Sequence, residues 1–345
     1  MSKKVLVTGG AGFIGHILIK YLIDNTDWDI VSLDRLDYSG NLNRFDHMFK
    51  EYSTSEKSRL KILYHDLKSE ISNLIENQIR DVDIIYHLAA SSHVDRSIVD
   101  PLTFVKDNVL ATANILNYAR SIKELELFVY FSTDEVFGPA LPGQSFKEWD
   151  RYNSTNPYSA AKAGGEELAI AYENTYGLPI AITHCMNVYG ERQHPEKYIP
   201  NTLWKLKNRK KITIHANKDR SKPGSRHYLY SEDVASSVLF ITRNYDKLKK
   251  EQFNQISGTR CLKVNIPGTK ELDNLEVAKL ISIFSGYELD FELVDFHSSR
   301  PGHDLRYAID GTFIKNAGWM PKYTVEESLE KLVHWYLENP EWLEF

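Results

Sequence analysis

Cysteine is scarce in this 345-residue chain: only Cys185 and Cys261 occur, each among mostly apolar neighbours. With no Cys-x-x-Cys pair and no regular Cys/His spacing, neither a disulfide scaffold nor a metal site is expected. His184, next to Cys185, reads as a strand residue rather than a ligand. A basic excess is missing too. The formal net charge is -5, whereas a nucleic-acid binder usually carries a positive balance. The most basic stretch, Lys205 to Lys211, reads as a solvated helix end, with an anionic ligand as the lesser alternative. No run approaches the ~18 consecutive apolar residues of a membrane span. A strand pattern begins at Lys4, where a secretory leader would otherwise stand. No nucleic-acid partner, no membrane and a cytoplasmic location are therefore expected. Internal repeats and low-complexity segments are also lacking.

What is present is an ordinary globular composition, 42% hydrophobic and 26% charged, in a chain long enough for two domains. Apolar runs at 4–8, 30–34, 60–64, 83–88, 127–131 and 178–183 read as strands. Helical periodicity fills 14–24, 68–79, 101–121 and 157–176. Strands of near-continuous apolar residues alternating with helices predict an α/β fold with a parallel sheet covered on both faces. Beyond about residue 186 the rhythm fails, in a stretch rich in Pro, His and Lys. A first domain of 1–186 plus about 226–262, and a smaller one of about 187–225 and 263–345, are expected.

Gly9, Gly12 and Gly15 form a G-x-x-G-x-x-G pattern that follows a strand and opens a helix, which is the context a dinucleotide site needs. The first glycine allows the turn, the second lets backbone approach a pyrophosphate, and the third lets helix pack on strand. The helix start offers free N–H groups to the phosphates. Asp34 ends the second strand, 19 residues beyond Gly15, close to the ~20 expected of a ribose-binding acid. A carboxylate there favours NAD over NADP, although Arg35 beside it leaves the second open.

Tyr-x-x-x-Lys spacing occurs three times, at Tyr64/Lys68, Tyr158/Lys162 and Tyr245/Lys249. Only Tyr158/Lys162 lies in an alanine-rich segment introduced by Asn156-Pro157, which puts both on one helical face. Ser132, ending the fifth strand, lies near them in a parallel sheet. A lysine cation ~4 Å from a phenol is worth ~4 kcal/mol at an effective dielectric near 20, or roughly three pH units. That would bring Tyr158 into the useful range for a general base. Asp134 and Glu135 stand side by side after the apolar run 127–131, either as a solvated turn or as an acid and a base.

The segments "VTGGAGFIG", "HLAASSHVDRSI", "STDEVFG", "NPYSAAK", "NVYG", "HPEKYIP", "RHYLYSEDVA" and "RPGHDLRYAID" carry a resemblance over essentially the whole chain. It resembles the extended short-chain dehydrogenases/reductases, and among them the nucleotide-sugar 4,6-dehydratases. The first and fourth segments mark the superfamily; "STDEVFG" followed by "RPGHD" is far more specific. The resemblance implies a Rossmann-type doubly wound sheet with a smaller C-terminal α/β substrate domain, NAD as cofactor, and a homodimer formed by the helices near 101–121 and 157–176. It implies Tyr158 as base at the sugar 4-hydroxyl, Lys162 as its partner, and Thr133 on the 4-oxygen. Glu135 would take the C5 proton and Asp134 would protonate the departing 6-hydroxyl. NAD would be bordered by Gly9, Gly12, Phe13, Ile14, Gly15, Asp34, Arg35, Leu36, Asp66, Leu67, Leu88, Ala89, Ala90, Ser132, Tyr158, Lys162 and Val188. The nucleotide sugar would meet Ser92, Thr133, Asn187, Lys197, Tyr198, Ile214, His215, Arg226, Asn265, Arg300 and His303.

Several positions depart from the family pattern. Asp37 and Asp107 replace threonines near the cofactor, and Ala161 replaces a serine. Asn187-Val188 and His215-Ala216 differ from the usual residues on the base side of the dTDP-glucose enzymes and resemble those of UDP-glucose-using relatives, which keeps UDP-glucose open although dTDP-glucose is expected ahead of it. Residues 217–225, with Lys218, Arg220 and Lys222, read as an extended basic flap. A 4-epimerase or decarboxylase of the superfamily would not need the Asp134-Glu135 pair. A non-catalytic NAD-binding module would not need the full set of reacting side chains.

Overall fold

The computed structural model describes residues 2–255, 261–295 and 305–344. The six apolar runs form β1 (Lys4–Thr8), β2 (Asp29–Asp34), β3 (Leu60–Tyr64), β4 (Ile84–His87), β5 (Leu127–Thr133) and β6 (Ile180–Cys185). Several limits differ from the apolar runs, two of them for identifiable reasons. β6 starts after Pro179, whose ring nitrogen cannot donate to a ladder. β5 runs on to Thr133 because Ser132 and Thr133 pair with His184 and Cys185. The remaining strands are β7 (Asn187–Tyr189), β8 (Ile212–Ala216), β9 (Ser225–Tyr230), β10 (Leu262–Ile266), β11 (Glu271–Asp273) and β12 (Phe291–Asp295).

The main sheet has seven strands in the order β10-β6-β5-β4-β1-β2-β3, and every pairing is parallel. This is the Rossmann-type doubly wound sheet. Its seventh strand, β10, was not among the strands read from the sequence, and it crosses the expected 262/263 boundary. Its five residues are all buried against β6, a non-local pairing that no local pattern announces. The order reverses between β1 and β4, and such a switch point opens a crevice at the strands' carboxyl ends.

The helix Pro157–Tyr176 shows how the sequence sets one boundary. Asn156 caps it by accepting the Ser159 N–H, Pro157 occupies the first helical position, and Gly177 ends it at φ 72°. Its Gly165 allows close approach to β5: a Cβ there would lie 2.4 Å from the Tyr130 hydroxyl.

The irregular half packs around Leu203, Ile214, Val277, Ile281, Leu329, Leu332 and Tyr336. A three-stranded sheet β11-β9-β7 and the pair β12-β8 flank that core, with helices Tyr198–Lys207, Asn274–Ser285 and Val325–Glu338. β7 follows β6 directly, so the second layer begins where the main sheet's β6 ends. Residues 217–222 close on themselves as a turn, the Asn217 side-chain oxygen accepting from the Ser221 and Lys222 N–H groups. No helix among the described residues is long and apolar enough to cross a membrane.

Candidate active site

The glycine turn and the ends of β2 and β4 enclose a groove lined by Gly9, Gly12, Asp34, Arg35, Asp66, Leu67, Leu88, Ala89 and Ala90. Its fit to a dinucleotide is steric. Gly9 lies at φ 71°, and a Cβ there would come within 2.8 Å of the Ala89 nitrogen. A Cβ on Gly15 would lie 2.2 Å from the Gly9 carbonyl, so Gly15 supports the turn from beneath. Asp34 accepts from the Ala11 N–H at 3.0 Å and from the Leu36 N–H at 2.8 Å. The second bond holds Leu36 in the left-handed region at φ 55°, a strain that needs such support. Burial raises the Asp34 carboxyl, while those two N–H donors oppose the rise.

The groove opens into a larger cleft at the carboxyl ends of β5 and β6, bordered by Phe13, Ile14, Ser92, Ser132, Thr133, Asp134, Glu135, Tyr158, Asn187 and Val188. On its far side stand Lys197, Tyr198, His215 and Arg226. Asp134 to Phe137 form a single 3-10 turn capped by Thr133 and ended by Gly138 at φ 77°. In a 3-10 turn successive side chains point about 120° apart. Asp134 therefore turns inward while Glu135 stays partly exposed in the cleft.

Thr133 joins the reacting groups. Its hydroxyl donates to Asp134 Oδ1 at 3.0 Å, accepts the Glu135 N–H at 3.4 Å, and hydrogen-bonds the Tyr158 phenol. Asp134 Oδ2 is buried with no hydrogen-bond partner among the described residues. Burial, then the neighbouring Glu135 carboxylate, push Asp134 up to about 7. Glu135 accepts from the Asn156 side-chain amide at 3.3 Å, so the residue that caps the helix carrying Tyr158 also orients this carboxylate.

Lys162 follows Tyr158 by one helical turn, but its hydrogen bond goes elsewhere. Its ammonium donates to the Phe131 carbonyl and lies 4.3 Å from the centre of the Tyr130 ring. Burial lowers it to about 7, against the pull of Glu166. Tyr158 is correspondingly not lowered: burial of its hydroxyl end, then Glu135, push the phenol above its ordinary range. The two share one helical face, but at this depth the low-dielectric cost of charge outweighs that spacing. Behind Lys162, Glu166 accepts from Ser132 at 2.7 Å and contacts His184 at 3.1 Å and Lys263 at 3.0 Å. Burial alone would raise the Glu166 carboxyl; His184 and Lys263 overcome it and hold it well below the usual range.

Two expected substrate contacts are not in the cleft. Asn265 is fully buried in β10, its side chain engaged by His184, the Phe146 carbonyl and the Asp310 carbonyl. Ile214 belongs to the second core, and strand alternation presents Thr213 and His215 to the cleft instead. Arg35 borders the groove, but its guanidinium is committed to carboxylates. Arg300 and His303 lie outside the described residues. The cleft also gathers His93, Glu196, Asn201 and Asn274, which had no expected role, and Lys205, read from the sequence as part of a solvated helix end. Asn201 and Lys205 were legible in principle, since they follow Tyr198 at helical spacing on one face.

Comparison with known proteins places these features. A family model described as GDP-mannose 4,6 dehydratase matches residues 6–332. The chain is 35% identical over 369 residues to a dTDP-glucose 4,6-dehydratase of Escherichia coli, covering 98% of this chain and 95% of that one. It is also 35% identical over 346 residues to a trifunctional UDP-glucose 4,6-dehydratase of Arabidopsis thaliana, covering 99% of this chain and 48% of that longer protein. Among solved structures, a dTDP-glucose 4,6-dehydratase from Streptomyces venezuelae with NAD bound superposes with a TM-score of 0.84 at 31% identity, each chain covered to 99%.

Proposed function

The chain belongs to the nucleotide-sugar 4,6-dehydratases, a branch of the extended short-chain dehydrogenases/reductases, and from that premise we propose that it converts dTDP-glucose to dTDP-4-keto-6-deoxyglucose with NAD as resident cofactor. Gly9, Gly12, Asp34, Asp66, Leu67 and Leu88 to Ala90 hold the cofactor in the groove at the β1/β4 switch point. Bound NAD supplies the hydride acceptor at C4 and the hydride donor at C6. Tyr158 takes the proton of the 4-hydroxyl, a role that requires the positive charge of bound nicotinamide to bring down a phenol that burial and Glu135 raise; Thr133 holds the 4-oxygen through a hydroxyl it already shares with Tyr158. The 4-ketone makes the C5 proton acidic. Glu135 then removes it, Asp134 gives its proton to the departing 6-hydroxyl, which leaves as water, and Glu135 returns its proton to C5 when C6 is reduced.

One observation carries this reading. The buried, unpartnered Asp134 Oδ2, with its carboxyl pushed up to about 7, sits beside Glu135 and within one hydrogen bond of Thr133. A carboxyl near 7 is about half protonated at neutral pH, which suits a general acid. Elimination across two adjacent carbons needs one protonated and one ionised carboxyl a few ångströms apart, and adjacent positions in one 3-10 turn provide that. Lys197 and Arg226 offer cationic contacts to the diphosphate.

Purified protein incubated separately with dTDP-glucose and UDP-glucose, without added NAD, tests the reading by NMR of the product. A 4-keto-6-deoxy sugar from dTDP-glucose at the higher rate is expected. Faster turnover of UDP-glucose would reverse the nucleotide assignment, and a galactose product would replace dehydration by epimerisation. The exposed apolar side chains Leu102, Val105 and Leu110, 70%, 48% and 45% exposed, support a homodimer joined through the helical stretch that begins at Pro101.

A further inference from the structure

Arg35 stands next to Asp34, where a cation would ordinarily welcome a 2′-phosphate on the adenosine ribose. Its surroundings prevent that use. The guanidinium makes a bidentate pair with Asp107, Nη1 to Oδ1 at 2.6 Å and Nη2 to Oδ2 at 2.8 Å. From the other side Asp37 Oδ2 accepts from Nε at 2.8 Å and from Nη2 at 2.6 Å. Four of the five N–H groups are thereby used. The other Nη1 hydrogen belongs to an atom 3.8 Å from Asp66.

Asp107 is the firmer partner. Its side chain is 2% exposed, and it also accepts from the Ser91 hydroxyl at 2.6 Å. It lies in the π-helical segment Lys106–Leu110, an irregularity that often re-aims a side chain at a functional site. Lys68 reaches Asp66 at 3.2 Å and Asp107 at 3.8 Å. Around the ribose end of the groove, four carboxyl groups (Asp34, Asp37, Asp66 and Asp107) thus face two cations, Arg35 and Lys68. A 2′-phosphate would add nearly two more negative charges and could recruit Arg35 only by breaking a bidentate pair whose Asp107 side is buried.

We propose that Asp37 and Asp107 are specificity-determining residues that deny this site NADP, by holding Arg35 from two sides so that it cannot serve as a phosphate ligand. Asp34 repels the phosphate directly; the clamp removes the cation that would compensate. The inference rests on the reading that the Gly9–Gly15 groove holds a nicotinamide dinucleotide with its adenosine ribose at Asp34.

The test needs no turnover. Wild type, Asp37→Asn, Asp107→Asn and the double variant are purified from one host. Their tightly held nucleotides are released by acid and separated by chromatography. Each loaded protein is also challenged with radiolabelled NADP to measure exchange. In the double variant the NADP-to-NAD ratio should rise roughly tenfold or more, since each lost carboxylate frees Arg35 by at least a kilocalorie-scale interaction. Adding Arg35→Gln to the double variant should cancel the gain, which a merely loosened groove would not do. An unchanged ratio in a double variant that still melts cooperatively and releases NAD overturns the proposal. If the double variant does not fold, Asp37→Asn decides alone, since that side chain is 30% exposed; an unchanged ratio there has the same force. Wild-type protein that releases no nicotinamide nucleotide would instead sink the underlying cofactor reading, and the inference with it.

Discussion

Replacing Asp134 by asparagine keeps the shape of the side chain and removes its titration. The carboxyl is pushed from 3.8 to about 7 by burial and by Glu135. The sign follows from linkage. Between those two values the folded state keeps a proton that the unfolded state has released, so the group contributes stability that is fully present below 3.8 and is lost as pH rises through about 7. The whole interval, at about 1.4 kcal/mol per pH unit, corresponds to about 4 kcal/mol. Between pH 5 and pH 8 the loss is about 3 kcal/mol, since only the rise from 5 to about 7 contributes. Asp134→Asn escapes that loss. Its unfolding free energy, measured in urea at saturating NAD, should therefore improve relative to wild type by about 3 kcal/mol over this range. Its kcat should fall by 10²–10⁴, the usual worth of a positioned proton donor. Parallel stability–pH curves for the two proteins would show that Asp134 is ionised throughout, and an ionised Asp134 cannot be the acid. The trade is physically reasonable, because functional sites hold groups in environments that destabilise the fold.

Three other outcomes are expected. Glu135→Gln should still allow oxidation at C4 and accumulate reduced cofactor, while elimination and solvent-deuterium exchange at C5 both fail; normal product from this variant would remove Glu135 from its role. Thr133→Val loses the hydroxyl that joins Asp134, the Glu135 N–H and Tyr158, and kcat should drop ~10-fold or more with KM moving less, as read by initial rates. Leu102→Glu places a charge at a position 70% exposed in the helical stretch that begins at Pro101; light scattering should show conversion of a dimer to a monomer, and an unchanged mass would refute that interface.

The parallel sheet was legible because strands buried on both faces must be apolar throughout, and such runs stand out at 4–8, 30–34 and 127–131. The glycine turn was legible for a steric reason. A side chain at Gly9 or Gly15 collides with backbone within 3 Å, so the residue type itself reports the close approach. Asn156-Pro157 and Gly177 announced a helix because caps act through neighbours in sequence. Asp134 and Glu135 drew notice as two carboxylates after a buried strand, and local sequence alone left them undecided between a solvated turn and an acid–base pair.

What escaped were relations between distant residues. β10 is a strand because β6 offers it an edge, and Asn265 is consumed in the core for the same reason. Lys162 sits at helical spacing from Tyr158, yet burial lowers it and Glu166 opposes that, while the Phe131 carbonyl and the Tyr130 ring hold it in place; only the fold brings these near. Arg35 looked like an invitation to NADP until Asp107, 72 residues later, met it. The sequence by itself determined which segments fold as strands and helices and which residue types stand at the strand ends, since these follow from local sterics and periodic burial. The tertiary structure alone decided which of those residues are charged, which are paired and which are shut away. Desolvation and Coulomb interactions depend on distance through space, and the chain order does not encode that distance.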